Sequence, residues 1–204
     1  MNSSVPLKPD IAVLAAGAST RLGRNKALVK IRGNSVLRIQ LAKLSPFARG
    51  KVSVVAPRRS AVRREALRLG ARCIVNADPS LGMSHSVRRA LQGLRCSPAV
   101  LILPVDLIAL NTADLARMLR TWRGHRRRLI ARRLGKRGVT PVILPRHLYG
   151  IGAKLSGDSG LRNLIAVLPA AGRVLVSMPS ADADIDTPAD LAAVRRQFSR
   201  STRN

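Results

Sequence analysis

Short apolar runs rich in β-branched residues alternate along this chain with segments of helical periodicity, about one pair every 20–25 residues. The apolar runs are Ile11–Ala15, Lys51–Ala56, Ala71–Asn76, Ala99–Pro104, Arg128–Arg132, Val139–Leu144 and Arg173–Ser177. Helical patterns occupy Ser35–Leu44, Ser60–Leu69, Ser84–Leu94, Thr112–Trp122, Ser159–Val167 and Pro188–Phe198. Several have N-caps, such as Asn111 or Thr112, and Thr187 with Pro188 in the first turn. This rhythm predicts βαβ units and an α/β fold with a mostly parallel, doubly wound sheet. Ligands of such sheets sit beyond the carboxyl ends of the strands, near a switch in strand order. With 204 residues, no internal repeat and no low-complexity linker, the chain reads as one domain over 1–204. Its core spans about 10–198, between short flexible termini.

The first strand leaves through LAAGASTRLGRNKAL, Leu14 to Leu28, which holds two glycines, three cations and no acid. A structural turn needs one Gly or Asn. A run of Ala, Gly and Ser followed by Arg21, Arg24 and Lys26 suits a loop whose backbone N–H groups close around an oligophosphate while cations neutralise it. The stretch lies where the strand-end rule places a ligand.

Acids are scarce, so each one is informative. Asp106 follows the apolar run AVLILPV, at the carboxyl end of a buried strand. A lone carboxylate there costs several kcal/mol unless a cation or donor meets it. Mg²⁺ facing a triphosphate would meet it, since that ion takes one or two carboxylates with phosphate oxygens and water; a loop or cap acid satisfied by backbone is the plainer account. ADADIDTPADL places Asp182, Asp184, Asp186 and Asp190 within nine residues, and in extended geometry the first three point to one side. Asp190 reads as a first-turn helix acid. NADPSLGMSHSVRRAL (Asn76–Leu91) leaves a strand through a Gly/Ser loop into a helix whose N-terminus suits a base edge or a phosphate; a plain entry capped by Ser84 explains it equally. SGDSGLRNL (Ser156–Leu164) puts Asp158 in a glycine turn before a helix, as an N-cap would. His85, His125 and His147 form no HExxH or triad-like group.

The formal charge of +27 comes from 37 Lys and Arg against ten acids. Arg59 with Arg63 and Arg64 with Arg68 fall at i,i+4 spacing, as a solvated helix stripe would. Four scattered aromatic residues, Phe47, Trp122, Tyr149 and Phe198, make no base-stacking platform. The charge therefore reads as steering and solubility, with nucleic acid bound only non-specifically if at all. The longest uncharged apolar stretch, around Ala99–Leu103, is too short to span a bilayer, and MNSSVPLKPD has no h-region. Cys73 and Cys96 fit no metal or redox spacing. The expected location is the cytoplasm, with no membrane partner.

Taken in order, these pieces resemble the MobA-like nucleotidyltransferases, most closely their molybdenum cofactor cytidylyltransferase branch. The opening pattern LAAG-x-[GS]-x-R-[ML]-G-x-x-K is matched from Leu14 to Lys26. The N-x-x-x-x-x-G-[ML]-x-x-S segment is matched by Asn76, Gly82, Met83 and Ser86, and the strand-end acid by Asp106. Gly157, Asp158, Gly160 and Arg162 stand for the GD-x-G-x-R turn, and Asp184 to Pro188 for D-I-D-T-P. The resemblance runs over roughly residues 10–198. Two elements depart from it: Pro104-Val105-Asp106-Leu107-Ile108-Ala109 replaces the usual G-D-x-P, and RGVTPVIL keeps Pro141 but not a G-H-P.

The resemblance implies a Rossmann-like, three-layer α/β/α sandwich and a Mg²⁺-dependent enzyme. It would move CMP from CTP to the phosphate of molybdenum-bearing molybdopterin, releasing pyrophosphate. Leu14, Ala15, Ala16, Gly17, Ser19, Arg21 and Lys26 would wrap the nucleotide, with Arg21 and Lys26 acting on its phosphates. Asn76, Gly82 and Ser86 complete the nucleotide site, Asp106 and Asp186 hold the metal, and Met83, Pro141, Asp158 and Asp184 are acceptor-side or secondary candidates. LAAG rather than L-A-G-G implies CTP over GTP. An apo-molybdoenzyme would be the partner in cofactor delivery. Two alternatives stay open: the same chemistry with GTP or on a sugar or polyol phosphate, and a basic, non-catalytic binding or delivery protein.

Overall fold

In the computed structural model, residues 8–17, 25–155, 157, 160–182, 187, 189–192 and 194 are described. The seven expected apolar runs all become strands of one sheet. They are β1 (Asp10–Leu14), β4 (Ser53–Pro57), β5 (Arg72–Asn76), β6 (Ala99–Pro104), β7 (Leu129–Leu134), β8 (Arg137–Pro145) and β9 (Arg173–Val176). Their order is β5-β4-β1-β6-β8-β7-β9, and β8 alone runs against the others. A small antiparallel ladder of β2 (Lys30–Ile31) and β3 (Asn34–Ser35), which periodicity did not indicate, leads into the first helix. Its turn is Arg32-Gly33, with φ of 50° and 79°, the left-handed pair a tight hairpin requires.

The helices are α1 (Val36–Leu44), α2 (Ala61–Arg68), α3 (Met83–Gly93), α4 (Thr112–Gly124), α5 (Tyr149–Gly152) and α6 (Gly160–Val167). Residues 189–192 and 194 are helical, and the rest of the expected Pro188–Phe198 helix lies outside the described residues. Local signals start most of these helices. Ser35, Ser60 and Asn111 each accept a backbone N–H three residues on, at 3.2, 3.1 and 2.8 Å. Thr187 and Asp190 cap each other: Thr187 N donates to Asp190 Oδ2 at 2.7 Å and Asp190 N to Thr187 Oγ1 at 3.2 Å.

Alternation along the strands divides the core into two layers. Ile11, Val13, Val54, Ala56, Leu101 and Leu103 pack against α1, α2 and α4, with Trp122 buried among them. Ala12, Leu14, Val55, Val100, Ile102, Val142 and Leu144 face α3 and α6 on the other side. Helices on both faces of a mostly parallel sheet make the expected Rossmann-like three-layer sandwich. From β1 the chain proceeds outward through β4 and β5, then crosses back to place β6 on β1's other side, with Leu14 opposite Pro104. The strand order therefore reverses between β1 and β6, and their carboxyl ends form the crevice where such sheets take ligands.

Candidate active site

At that reversal lies a cavity of about 390 Å³. Leu14, Ala15, Ala16 and Gly17 line it from the end of β1, Pro104, Val105 and Asp106 from the end of β6, and Gly82, Met83 and Ser86 from the start of α3. The ends of β1 and its neighbours are pinned by backbone bonds: Ala15 N donates to Val55 O at 2.9 Å and Val105 N to Leu14 O at 3.0 Å. Gly17 has nothing within 4 Å of where a Cβ would stand, so its backbone borders open space.

The carboxylate demand raised by Asp106 is met by a residue 80 positions away. Lys26 Nζ donates to Asp106 Oδ2 at 2.8 Å, with the two side chains 14% and 19% exposed. Lys26 begins a one-turn 3-10 segment, Lys26–Leu28, capped by Asn25, whose Oδ1 accepts from Ala27 N at 3.1 Å. Ala27 is fully buried and anchors that turn in the core, so the ammonium is presented from a fixed base.

On the opposite wall, α3 begins at Gly82, whose φ of 81° and ψ of −178° are essentially confined to glycine. The helix cap is therefore Gly82, and Ser84 lies within the first turn, where its hydroxyl donates to Gly157 O rather than capping. Asn76 is fully buried at the end of β5 and stands behind the cavity wall. Its Oδ1 accepts from Asp78 N at 3.1 Å, which orients the amide, and its Nδ2 donates to Ser86 Oγ at 3.0 Å. Ser86 thus receives a hydrogen bond from the protein and has its own proton to give.

Among the described candidates, Leu14, Ala15, Ala16, Gly17, Lys26, Gly82, Met83, Ser86 and Asp106 share the cavity. Pro141 is buried within β8, outside it. Ser19, Arg21, Asp158, Asp184 and Asp186 lie outside the described residues. Pro179–Asp182 forms a 3-10 turn, so the extended geometry expected from Asp182 onward does not hold at its start.

That turn is fastened by an acid that no sequence pattern singles out. Asp114, 4% exposed in the first turn of α4, accepts from Ser180 N at 3.0 Å and from Ser180 Oγ at 2.6 Å. Asn111 N donates to the same Ser180 Oγ at 2.9 Å. Arg132, also buried, donates to Ala181 O from β7. The segment entering the acidic run is thereby tied to the helix that follows Asp106. Asn25, Pro79 and Ser80 also line the cavity, and all three belong to the two loops whose sequences suggested ligand binding.

The donor set suits a hard divalent cation bound with a phosphorylated ligand. Asp106 supplies one carboxylate at the cavity edge, and among the described residues no three His, Cys, Asp or Glu side chains converge. Mg²⁺ needs no closed protein cage, because phosphate oxygens and water fill most of its octahedron.

An α/β sheet with a cation, a carboxylate and a glycine-opened helix N-terminus around its switch point defines a binder of phosphorylated ligands. The chain belongs to the MobA-like NTP transferase domain family, whose model matches residues 11–174, and is thus a nucleotidyltransferase. Solved structures share the fold. One is Rv0371c from Mycobacterium tuberculosis H37Rv in complex with manganese: 24% identity, 92% of this chain and 97% of that one covered, TM-score 0.71. Another is molybdopterin-guanine dinucleotide biosynthesis protein A from Archaeoglobus fulgidus: 16% identity, 94% and 99% covered, TM-score 0.73. A third is CMP:2-keto-3-deoxy-manno-octonic acid synthetase complexed with CTP: 14% identity, 95% and 99% covered, TM-score 0.74. No curated protein sequence matches the chain. Among the described residues, no helix is long and apolar enough to cross a membrane.

Proposed function

We propose that this nucleotidyltransferase moves CMP from CTP to the phosphate of molybdenum-bearing molybdopterin and releases pyrophosphate. It acts as a single cytoplasmic domain that hands its product to an apo-molybdoenzyme. The observation that carries this reading is the convergence on one cavity of the β1 loop, the Lys26–Asp106 pair and the Ser86 hydroxyl. With Asn76 donating to it, Ser86 presents a proton toward the ligand. Cytosine offers two acceptors there, O2 and N3, whereas the pairing edge of guanine offers one, O6, beside its N1–H and N2–H donors. Ala16, 4% exposed, adds a methyl where a glycine would leave room for a purine.

Lys26 would transfer its ammonium from Asp106 to the incoming triphosphate and offset charge on the phosphates during displacement. Arg21 would act with it, and Ser19 would complete the loop. Gly82 and Met83 would close the cavity from the helix side. Asp106 and Asp186 would hold Mg²⁺, with Asp184, Asp158 and Pro141 in secondary or acceptor-side roles. When bound, that ion supplies charge neutralisation for the attacking and leaving oxygens. The remaining work is positioning and electrostatics, so no protein nucleophile is required.

The test is pyrophosphate release with each of the four nucleoside triphosphates against molybdopterin and candidate sugar or polyol phosphates. Release with CTP and molybdopterin is expected. Preference for GTP or another acceptor would change the substrate, and release from none would overturn catalysis by this cavity. Asp186→Asn should abolish turnover; loss in Asp184→Asn with Asp186→Asn silent would move the second metal ligand to Asp184.

A further inference from the structure

The loop that follows Asp106 is held by two polar side chains where an amphipathic helix would ordinarily spend apolar ones. In α1, VLRIQLAKL, Gln40 and Lys43 are three residues apart and so share a face. That face is turned inward: Gln40 is fully buried, and burial lowers the Lys43 ammonium to about pKa 8. Their targets are consecutive carbonyls. Gln40 Nε2 donates to Leu107 O at 2.9 Å, and Lys43 Nζ donates to Ile108 O at 2.5 Å. These two residues come directly after Asp106, where the chain departs from the G-D-x-P pattern.

The arrangement is costly. Gln40 Oε1 is buried with no hydrogen-bond partner, and the half-buried Lys43 ammonium is disfavoured by its partial desolvation. Its effect is specific. Leu107 and Ile108 have buried side chains, at 2% and 0% exposure. On the strand side, Val105 N is held by Leu14 O; after the acid, Ile108 N returns to Asp106 O at 2.7 Å. With the next two carbonyls fastened to α1, the backbone of Asp106 is fixed from both directions. Only its two side-chain torsions are left to aim the carboxylate at Lys26 or a metal.

We infer that Gln40 and Lys43 are positioning residues that set the Asp106 carboxylate for metal binding. This rests on the proposed role of Asp106. Displacing a ligand through its supporting shell typically costs about 10–100-fold in metal affinity or activity. The variants are Gln40→Leu and Lys43→Met, with Lys43→Gln as a milder change that keeps a polar tip on a shorter stem. Arg38→Met, on the exposed side of α1, is the control. Melting temperature, Mn²⁺ titration with and without CTP, and steady-state kinetics are read on each folded protein.

The expected result is Mn²⁺ affinity and kcat lowered about tenfold or more, with KM for CTP moved less than about threefold, in Gln40→Leu and in whichever Lys43 variant folds. A purely structural role would lower the melting temperature and folded fraction while leaving these quantities, per folded molecule, equal to those of Arg38→Met. That result would overturn the inference. A wild-type protein that binds neither Mn²⁺ nor CTP would instead remove the role of Asp106, and the inference with it.

Discussion

Replacing Lys26 by Met should make the nucleotide-free protein a better metal binder and a far worse enzyme. The 2.8 Å pair with Asp106 is mostly shielded from water, so in the empty site Lys26 competes with any cation for that carboxylate. Coupling within such a pair is about 0.5–3 kcal/mol. Removing the competitor should therefore tighten Mn²⁺ binding by a factor between about 2 and 150. The same change leaves the partly shielded Asp106 carboxylate without its ammonium, and should cost about 1–3 kcal/mol of stability in metal-free buffer, recovered as Mn²⁺ is added. With saturating CTP and acceptor, the loss of a preorganised cation should lower kcat about 100- to 1,000-fold. Isothermal titration with Mn²⁺, a denaturant melt with and without the ion, and a pyrophosphate-release assay measure the three effects. Equal or weaker Mn²⁺ binding by the variant would refute the competition, and near-normal turnover would refute the phosphate role of Lys26.

Ala16→Gly should erode the preference for CTP over GTP, a steric discrimination of about 1–3 kcal/mol, read as the ratio of kcat/KM for the two nucleotides; an unchanged ratio would separate Ala16 from base selection. Asp114→Ala strands two donors of Ser180 and should cost about 2–4 kcal/mol in urea unfolding, where Asp190→Ala, at an exposed cap, costs about 1. A loss below about 1 kcal/mol for Asp114→Ala would show that the tie is not needed. Lys43 supplies a pH signature. Its folded pKa of about 8 lies below the ordinary lysine value of 10.5, so between those values the unfolded chain holds the extra proton and stability rises with pH. By pH 9.5 the wild type should have gained about 2 kcal/mol relative to Lys43→Met, compared with pH 7; parallel pH profiles for the two proteins would contradict the desolvation of Lys43.

Much of this molecule is written locally. The continuous apolar runs Ile11–Ala15 and Ala99–Pro104 mark strands, Ser35, Ser60 and Asn111 mark helix starts, and the small basic stretch after Leu14 marks a ligand loop. Each of these signals is carried by residues within a turn or two of one another, so it survives without tertiary context. Even the isolation of Asp106 at a buried strand end says that a cation or a hydrogen-bond donor must meet it. Which cation does so is a different kind of fact. Lys26 reaches it from 80 residues away, Gln40 reaches Leu107 from 67, and Ser180 reaches Asp114 from 66. The antiparallel course of β8 and the place of Asn76 behind Ser86 are likewise absent from periodicity. Hydrophobic patterning is non-directional: it says which face is buried, and so made Gln40 and Lys43 look like ordinary helix residues. Hydrogen bonds and ion pairs depend on ångström-scale placement, and only the packing of α1 and α4 on the sheet decides which donors meet which oxygens.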